Sequence, residues 1–193
     1  MRRALERCPP VGEPGVRVGA KTPLLFTVQR PTGWEMASQG DEKNFALKFE
    51  RPLMADGASG RARIAFVQMR SLALPGPLRP ARSEQPEHPI LLRFGDHGVP
   101  VYARRLGTRA AYKFSVPVKE GGTTFFYPVE VQVSVDAAIA DACAYPVFAL
   151  AEAVLRTVEA KPARGGPSPA DAAVPGGGKN ASPRRTEAPG AAP

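Results

Sequence analysis

The stretch TTFFYPVEVQVSV, Thr123–Val135, decides how this chain is read. Phe125, Tyr127, Val129, Val131, Val133 and Val135 recur at every second position, and Glu130, Gln132 and Ser134 stand between the valines. Successive side chains of an extended strand point to opposite faces, so the pattern predicts a strand with one apolar and one polar face. Pro128 cannot donate a ladder hydrogen bond, which predicts a bulge or a sheet edge at that point.

Outward from this run, KEGG (Lys119–Gly122) supplies a turn back to RAAYKFSVPV (Arg109–Val118), and VPVYARRL (Val99–Leu106) reads as the strand before it. Three earlier runs, LLFTVQ (Leu24–Gln29), FALKFE (Phe45–Glu50) and RARIAFVQM (Arg61–Met69), also read as strands. The last is apolar on both faces, as a central strand would be. SQGDEKN and ADGASG carry turn residues before the second and third of these. After Val135 the period changes: Val147, Leu150, Ala151, Val154, Leu155 and Val158 share one helical stripe, opposite Glu152, Arg156 and Glu159. Asp141 suits a cap and Pro146 a first turn. The expected fold is therefore α+β, a mainly antiparallel twisted sheet of about six strands with a C-terminal helix packed on it.

The flanks are different. With 22 Pro and 19 Gly the chain holds more breakers than uniform packing allows, so they belong in loops and tails. CPPVGEPGVRVGA predicts a flexible arm over residues 1–20, and the segment from Lys161 reads as a disordered Pro/Gly/Ala-rich tail. One domain is left, over residues 21–160, large enough to fold without metal or covalent staples. Within it, Ser71–Pro89 is a long proline-rich crossing. GGGK in the tail has no strand before it and no helix after it, so it is not a phosphate loop, and no cofactor is expected.

Net charge is +8, with the basic excess in both termini and in Arg51–Arg109, while Ala110–Ala160 is net acidic. Such a field favours acidic partners without naming one. Cys8 and Cys143 lie far apart with no metal or redox spacing, which predicts reduced thiols and a cytoplasmic protein. The opening MRRALERCPP lacks the apolar stretch of a signal peptide, and no run is long and apolar enough to predict a membrane span.

Trp34, the only tryptophan, follows the first predicted strand in TVQRPTGWEM (Thr27–Met36). A tryptophan so close to a strand end reads as packing over the sheet edge rather than as a ligand platform. The strand ending in PTGW resembles the start of the PsbP/Mog1-like domains. FALKFERP, RARIAFVQM, the hairpin through KEGG and the closing AYPVFALAEAVLRTVEA extend the likeness over Leu24–Ala160. The resemblance implies an antiparallel sheet sandwiched by helices, although the prolines of Leu74–Pro89 leave no room for the helix that members carry there. It also implies a non-enzymatic protein-binding role. Members serve as a photosystem accessory subunit, as a partner of the nuclear-transport GTPase, as bacterial envelope proteins and as cytoplasmic chaperones of type VI secretion effectors.

Three functions can be drawn from the residues. The first is a non-catalytic adaptor or chaperone that binds another protein, such as one presenting an apolar helix. One helix looks thin cover for so many strands, so the apolar face of Phe125, Tyr127, Val129, Val131 and Val133 is its candidate site. The second is a single-stranded nucleic-acid binder, because Tyr102, Arg104, Arg105, Arg109 and Lys113 interleave aromatic and basic residues in one hairpin. The third is an enzyme using His97 and Asp96, with His88 and Glu87 nearby in sequence. Adjacent residues rarely converge on one ion, and a His–Asp pair without a nucleophile is no triad, so this comes last and no enzyme is expected.

Overall fold

The computed structural model describes residues 7–79 and 90–161, all within one compact unit spanning residues 1–163. Seven strands form an antiparallel sheet: β3 (Glu35–Gly40), β4 (Asn44–Ala55), β5 (Ala58–Met69), β6 (Ile90–Phe94), β7 (His97–Leu106), β8 (Arg109–Glu120) and β9 (Thr123–Val135). Their spatial order is β3-β4-β5-β9-β8-β7-β6, so two hairpin stacks meet where β5 lies against β9. A second, three-stranded sheet of order β1-β2-β10 is formed by β1 (Pro14–Val18), β2 (Phe26–Pro31) and β10 (Glu159–Ala160). Among the described residues there is one helix, α1 (Ala137–Leu155), which follows β9 directly. The α+β expectation holds, as a mainly antiparallel sheet with a C-terminal helix packed on it.

Apolar alternation explains the inner face of the large sheet. Phe45, Leu47 and Phe49 of β4, Ile64 and Phe66 of β5, Tyr112 and Phe114 of β8, and Val129, Val131 and Val133 of β9 are all buried. Laid over them are α1, through Val147, Leu150, Val154 and Leu155, and β2, through Phe26 and Val28. Phe26 meets Phe66 and Phe114 with ring centroids 5.8 and 6.1 Å apart, so β2 lies across the middle of the sheet. Leu25 of the chain entering β2 donates its N–H to Oε1 of the buried Gln68, at 2.8 Å, tying the two layers with a polar contact.

Two glycines are dictated by geometry. Gly40 ends β3 at φ 110°, and a Cβ there would stand 2.0 Å from the Asn44 carbonyl oxygen. Only glycine makes that turn without strain. Gly60 lets the start of α1 come down onto β5: a Cβ would meet Ile139 Cγ1 at 2.9 Å.

Pro128 sits in an unbroken ladder with β8, so there is no bulge. Phe126 exchanges both backbone hydrogen bonds with Leu74, which shows that the even-numbered groups of β9 face away from β8. The β5 ladder has already ended at the Gln68–Val129 pair, so Pro128 turns its missing N–H toward a local edge.

Several expectations are corrected. The described residues hold ten strands, the additions being β1, β3, β6 and β10. Residues 14–18 of the expected flexible arm pair with β2, because the chain doubles back along that strand. The helix starts at Ala137 after Asp136, so Asp141 is not its cap and Pro146 lies inside it. By length and composition α1 could cross a membrane, which the sequence reading missed, but its apolar residues are seated on the sheet. Finally, the two cysteines are not free thiols: Cys8 and Cys143 form a disulfide, with Cα atoms 5.0 Å apart. The tail expected over residues 161–193 falls outside the described residues, except Lys161.

Candidate functional site

The apolar face of β9 is not a free surface. Tyr127, Val129, Val131 and Val133 are at most 5% exposed, and Phe125 is half-buried near the far end of the strand. The sequence reading counted one helix as cover. It missed that β2, with β1 and β10 beside it, supplies a second layer. Val129, Val131 and Val133 therefore belong to the core, Tyr127 is buried without joining it, and Phe125 is half-buried outside it.

The opposite face of the large sheet carries no helix among the described elements. Strand register lays its side chains out in rows, because residues directly opposite in an antiparallel pair share a face. One row runs Tyr102, Lys113, Glu130, Val67 from β7 to β5. The next runs Arg104, Ala111, Gln132, Ala65, Lys48 into β4. The third runs Leu106, Arg109, Ser134, Arg63, Glu50. Short side chains at Ala65, Ala111 and Ser134 leave the middle low, while Arg63, Arg104, Arg109 and Gln132 stand around it. The result is an open depression of about 480 Å³. A smaller hollow of about 200 Å³ adjoins it, walled by Tyr102, Arg104, Lys113 and Glu130.

The electrostatics of this face are uneven. Arg63 is paired with Glu50, whose other oxygen also meets Arg61 at 3.9 Å. Arg104, Arg109 and Lys113 carry no ion pair among the described residues. Glu130, opposite Lys113 in the ladder, accepts a hydrogen bond from Gln132 Nε2 at 3.3 Å instead. Partial burial lifts the Tyr102 hydroxyl above its ordinary range, while the Arg79 charge pulls it back. Three cations with free donors beside one carboxylate make a surface suited to carboxylates or phosphates, which a guanidinium fork can grip with two bonds.

The structure thus divides the five residues of the basic hairpin. Tyr102, Arg104, Arg109 and Lys113 share the open face. Arg105 does not: its odd position in β7 sends it to the other side, where it pairs with Glu152 of α1 and lies 5.8 Å from the Phe148 ring centroid. Glu152 also accepts from the Tyr112 hydroxyl at 3.2 Å, so Arg105 fastens the helix to the sheet. Arg63, Gln132 and Ala65 were not singled out from sequence; the β8–β9 hairpin sets Gln132 opposite Ala111, and only the β5–β9 pairing brings Arg63 and Ala65 here.

His97 and Asp96 are exposed at the β6–β7 turn, and the His97 ring stands edge-on to Phe126 with centroids 5.9 Å apart. His88 and Glu87 lie outside the described residues. Among the described residues no group of three or more His, Cys, Asp or Glu side chains could hold a metal ion. Trp34 is 3% exposed and donates Nε1–H to the Val11 carbonyl at 2.7 Å, so it is a core plug that also anchors the N-terminal arm. Compared with protein-family models, with curated proteins and with solved structures, the chain matches none.

Proposed function

We propose that this protein is a non-catalytic binding module, an adaptor or chaperone of the PsbP/Mog1-like kind, that holds an acidic segment of another protein on its open sheet face. The observation that carries this reading is the set of Arg104, Arg109 and Lys113, gathered on one face around a shallow depression with no ion pair among the described residues. A shallow, broad surface takes an extended segment better than it encloses a small molecule, whose sites are deep and mostly apolar. Complementary charge at such a surface sets association rate and choice of partner more than raw affinity.

A second reading, single-stranded nucleic acid, is favoured by Tyr102 standing in the same row as Lys113. Stacking platforms for successive bases need more than one aromatic ring, and Tyr102 is the only ring among the residues that line the two hollows. Protein is therefore the better fit.

Fluorescence anisotropy with two labelled probes, a glutamate-rich peptide and an oligothymidylate, separates the readings. The protein-binding reading expects the peptide to bind, with affinity falling as salt rises. Binding of the oligonucleotide alone would transfer the face to nucleic acid. Binding of neither at low salt would remove the proposal.

A further inference from the structure

We infer that Cys8 and Cys143 are joined in the working protein, which is therefore matured and active in an oxidising compartment rather than in a reducing cytosol. The two residues are the whole cysteine complement of the chain. They are 135 positions apart in sequence, one in the N-terminal arm and the other in the interior of α1, yet the fold brings them into bonding contact.

That meeting is prepared by contacts independent of the sulfurs. Trp34 Nε1 holds the Val11 carbonyl at 2.7 Å. Thr32 donates its backbone N–H to the Glu13 carbonyl at 2.9 Å, and β1 pairs with β2 just beyond. Arg7 reaches Asp56 at 3.3 Å on the other side of Cys8. Buried and backbone contacts on one flank of Cys8, with an exposed ion pair on the other, keep the arm beside the helix. Cys143 is fully buried, the chain has no third thiol, and no metal-holding group exists among the described residues.

Closing the bond requires an oxidant, and a thiol–disulfide exchange protein of an oxidising compartment supplies it. The thiolate of one cysteine attacks the oxidant's disulfide, releasing one of its sulfurs as a thiol and leaving a mixed disulfide. The second cysteine's thiolate then displaces the oxidant's remaining sulfur. The chain loses two protons and two electrons, and the oxidant leaves as a dithiol. Glutathione and thioredoxin keep such pairs reduced in the cytosol, so a structural disulfide marks the place where the protein lives. Joined to the reading of the open face, on which this last step rests, the compartment favours an acidic protein outside the cytosol over an intracellular nucleic acid.

The test is the thiol state of the full chain in the cells that naturally make it. Cells are quenched in acid, free thiols are capped with a maleimide, and the intact mass is measured before and after reduction. The expected result is no cap before reduction and two after it. Two caps before reduction overturn the inference, whatever the open face binds. Thermal melting of the purified chain with and without reductant is the second measurement. Reductant should lower the melting temperature by on the order of 10 °C in the native chain, given so long a closed loop. It should leave the Cys8→Ser/Cys143→Ser variant unmoved. Equal melting of the native chain in both conditions would contradict a structural bond.

Discussion

The indole Nε1–H of Trp34 donates to the carbonyl oxygen of Val11 at 2.7 Å, joining the turn after β2 to the arm that carries Cys8. The ring is buried and the bond part-buried, so its loss removes the donor from an acceptor that is only partly open to water. Trp34→Phe keeps most of the apolar volume and removes the donor. It should cost about 1–2 kcal/mol in urea unfolding, with binding on the open face unchanged. Loss of binding with stability intact would return Trp34 to the role of a ligand platform.

Arg105 and Arg104 are neighbours in sequence with opposite assignments. Arg105 pairs with Glu152 over α1, at a half-exposed position, so Arg105→Ala should cost only about 1 kcal/mol of stability. Arg104→Ala should leave stability within about 0.5 kcal/mol, because its side chain is exposed and carries no ion pair among the described residues, and should weaken the acidic probe. A chemical unfolding curve and an anisotropy titration on each variant check the pair. The reverse pattern would mean that the face assignment in β7 is wrong.

Tyr112 gives a pH signature. Burial first, and then the Glu152 charge, push its hydroxyl from 10.0 up to about 12. The folded chain therefore holds this proton more tightly than the unfolded chain. The resulting stability is fully present below about pH 10 and is lost as pH rises through the folded value. Two units correspond to about 3 kcal/mol. Unfolding curves at pH 9 and at pH 11.5 should show the native chain losing more stability than Tyr112→Phe. An equal loss in both would rule out this residue as the source.

The edge strand β3 carries a directional prediction. Asp41 donates its N–H to the Asn44 carbonyl at 3.0 Å, so alternation along the ladder points the N–H groups of Ala37 and Gln39 toward β4 and that of Ser38 outward. Proline at an outward edge position removes no ladder bond. Ser38→Pro should therefore change stability by less than about 1 kcal/mol, whereas Ala37→Pro should cost about 3 kcal/mol or fray the β3–β4 hairpin. Hydrogen exchange at Ala46 and Lys48 reads the difference directly.

Which parts of this architecture were legible in the sequence follows from which interactions are local. Thr123–Val135 alternates so strictly that no other element fits it, and the hairpin with β8 follows from KEGG. The segment EMASQG of β3 is exposed at all six positions, so it carries no apolar alternation to read. The first half of α1, AAIADACAY, is too rich in alanine for its buried stripe to stand out from its exposed side. Strands β1 and β10 exist only because β2 offers its two edges, which no local pattern reports.

For the site, Tyr102, Arg104, Arg109 and Lys113 could be read because they share one short hairpin. Counting alternate positions along β7 would also have separated Arg105 from Arg104. Gln132 follows from the β8–β9 hairpin, where it faces Ala111, but Arg63 needed the β5–β9 pairing and the disulfide needed the complete fold. Both are long-range facts. The misplaced partner site had the same origin: the apolar face was read correctly, but its cover came from β2, nearly a hundred residues earlier in the chain.

The most direct measurement is the salt-dependent affinity of the glutamate-rich peptide for the native chain and for the Arg104→Ala/Arg109→Ala/Lys113→Ala variant. Three exposed charge contacts of about 0.5 kcal/mol each predict roughly tenfold weaker binding at low salt and a flatter dependence on salt, with the melting temperature unchanged. Equal affinity and equal slope for the two proteins would contradict the open face as the binding surface.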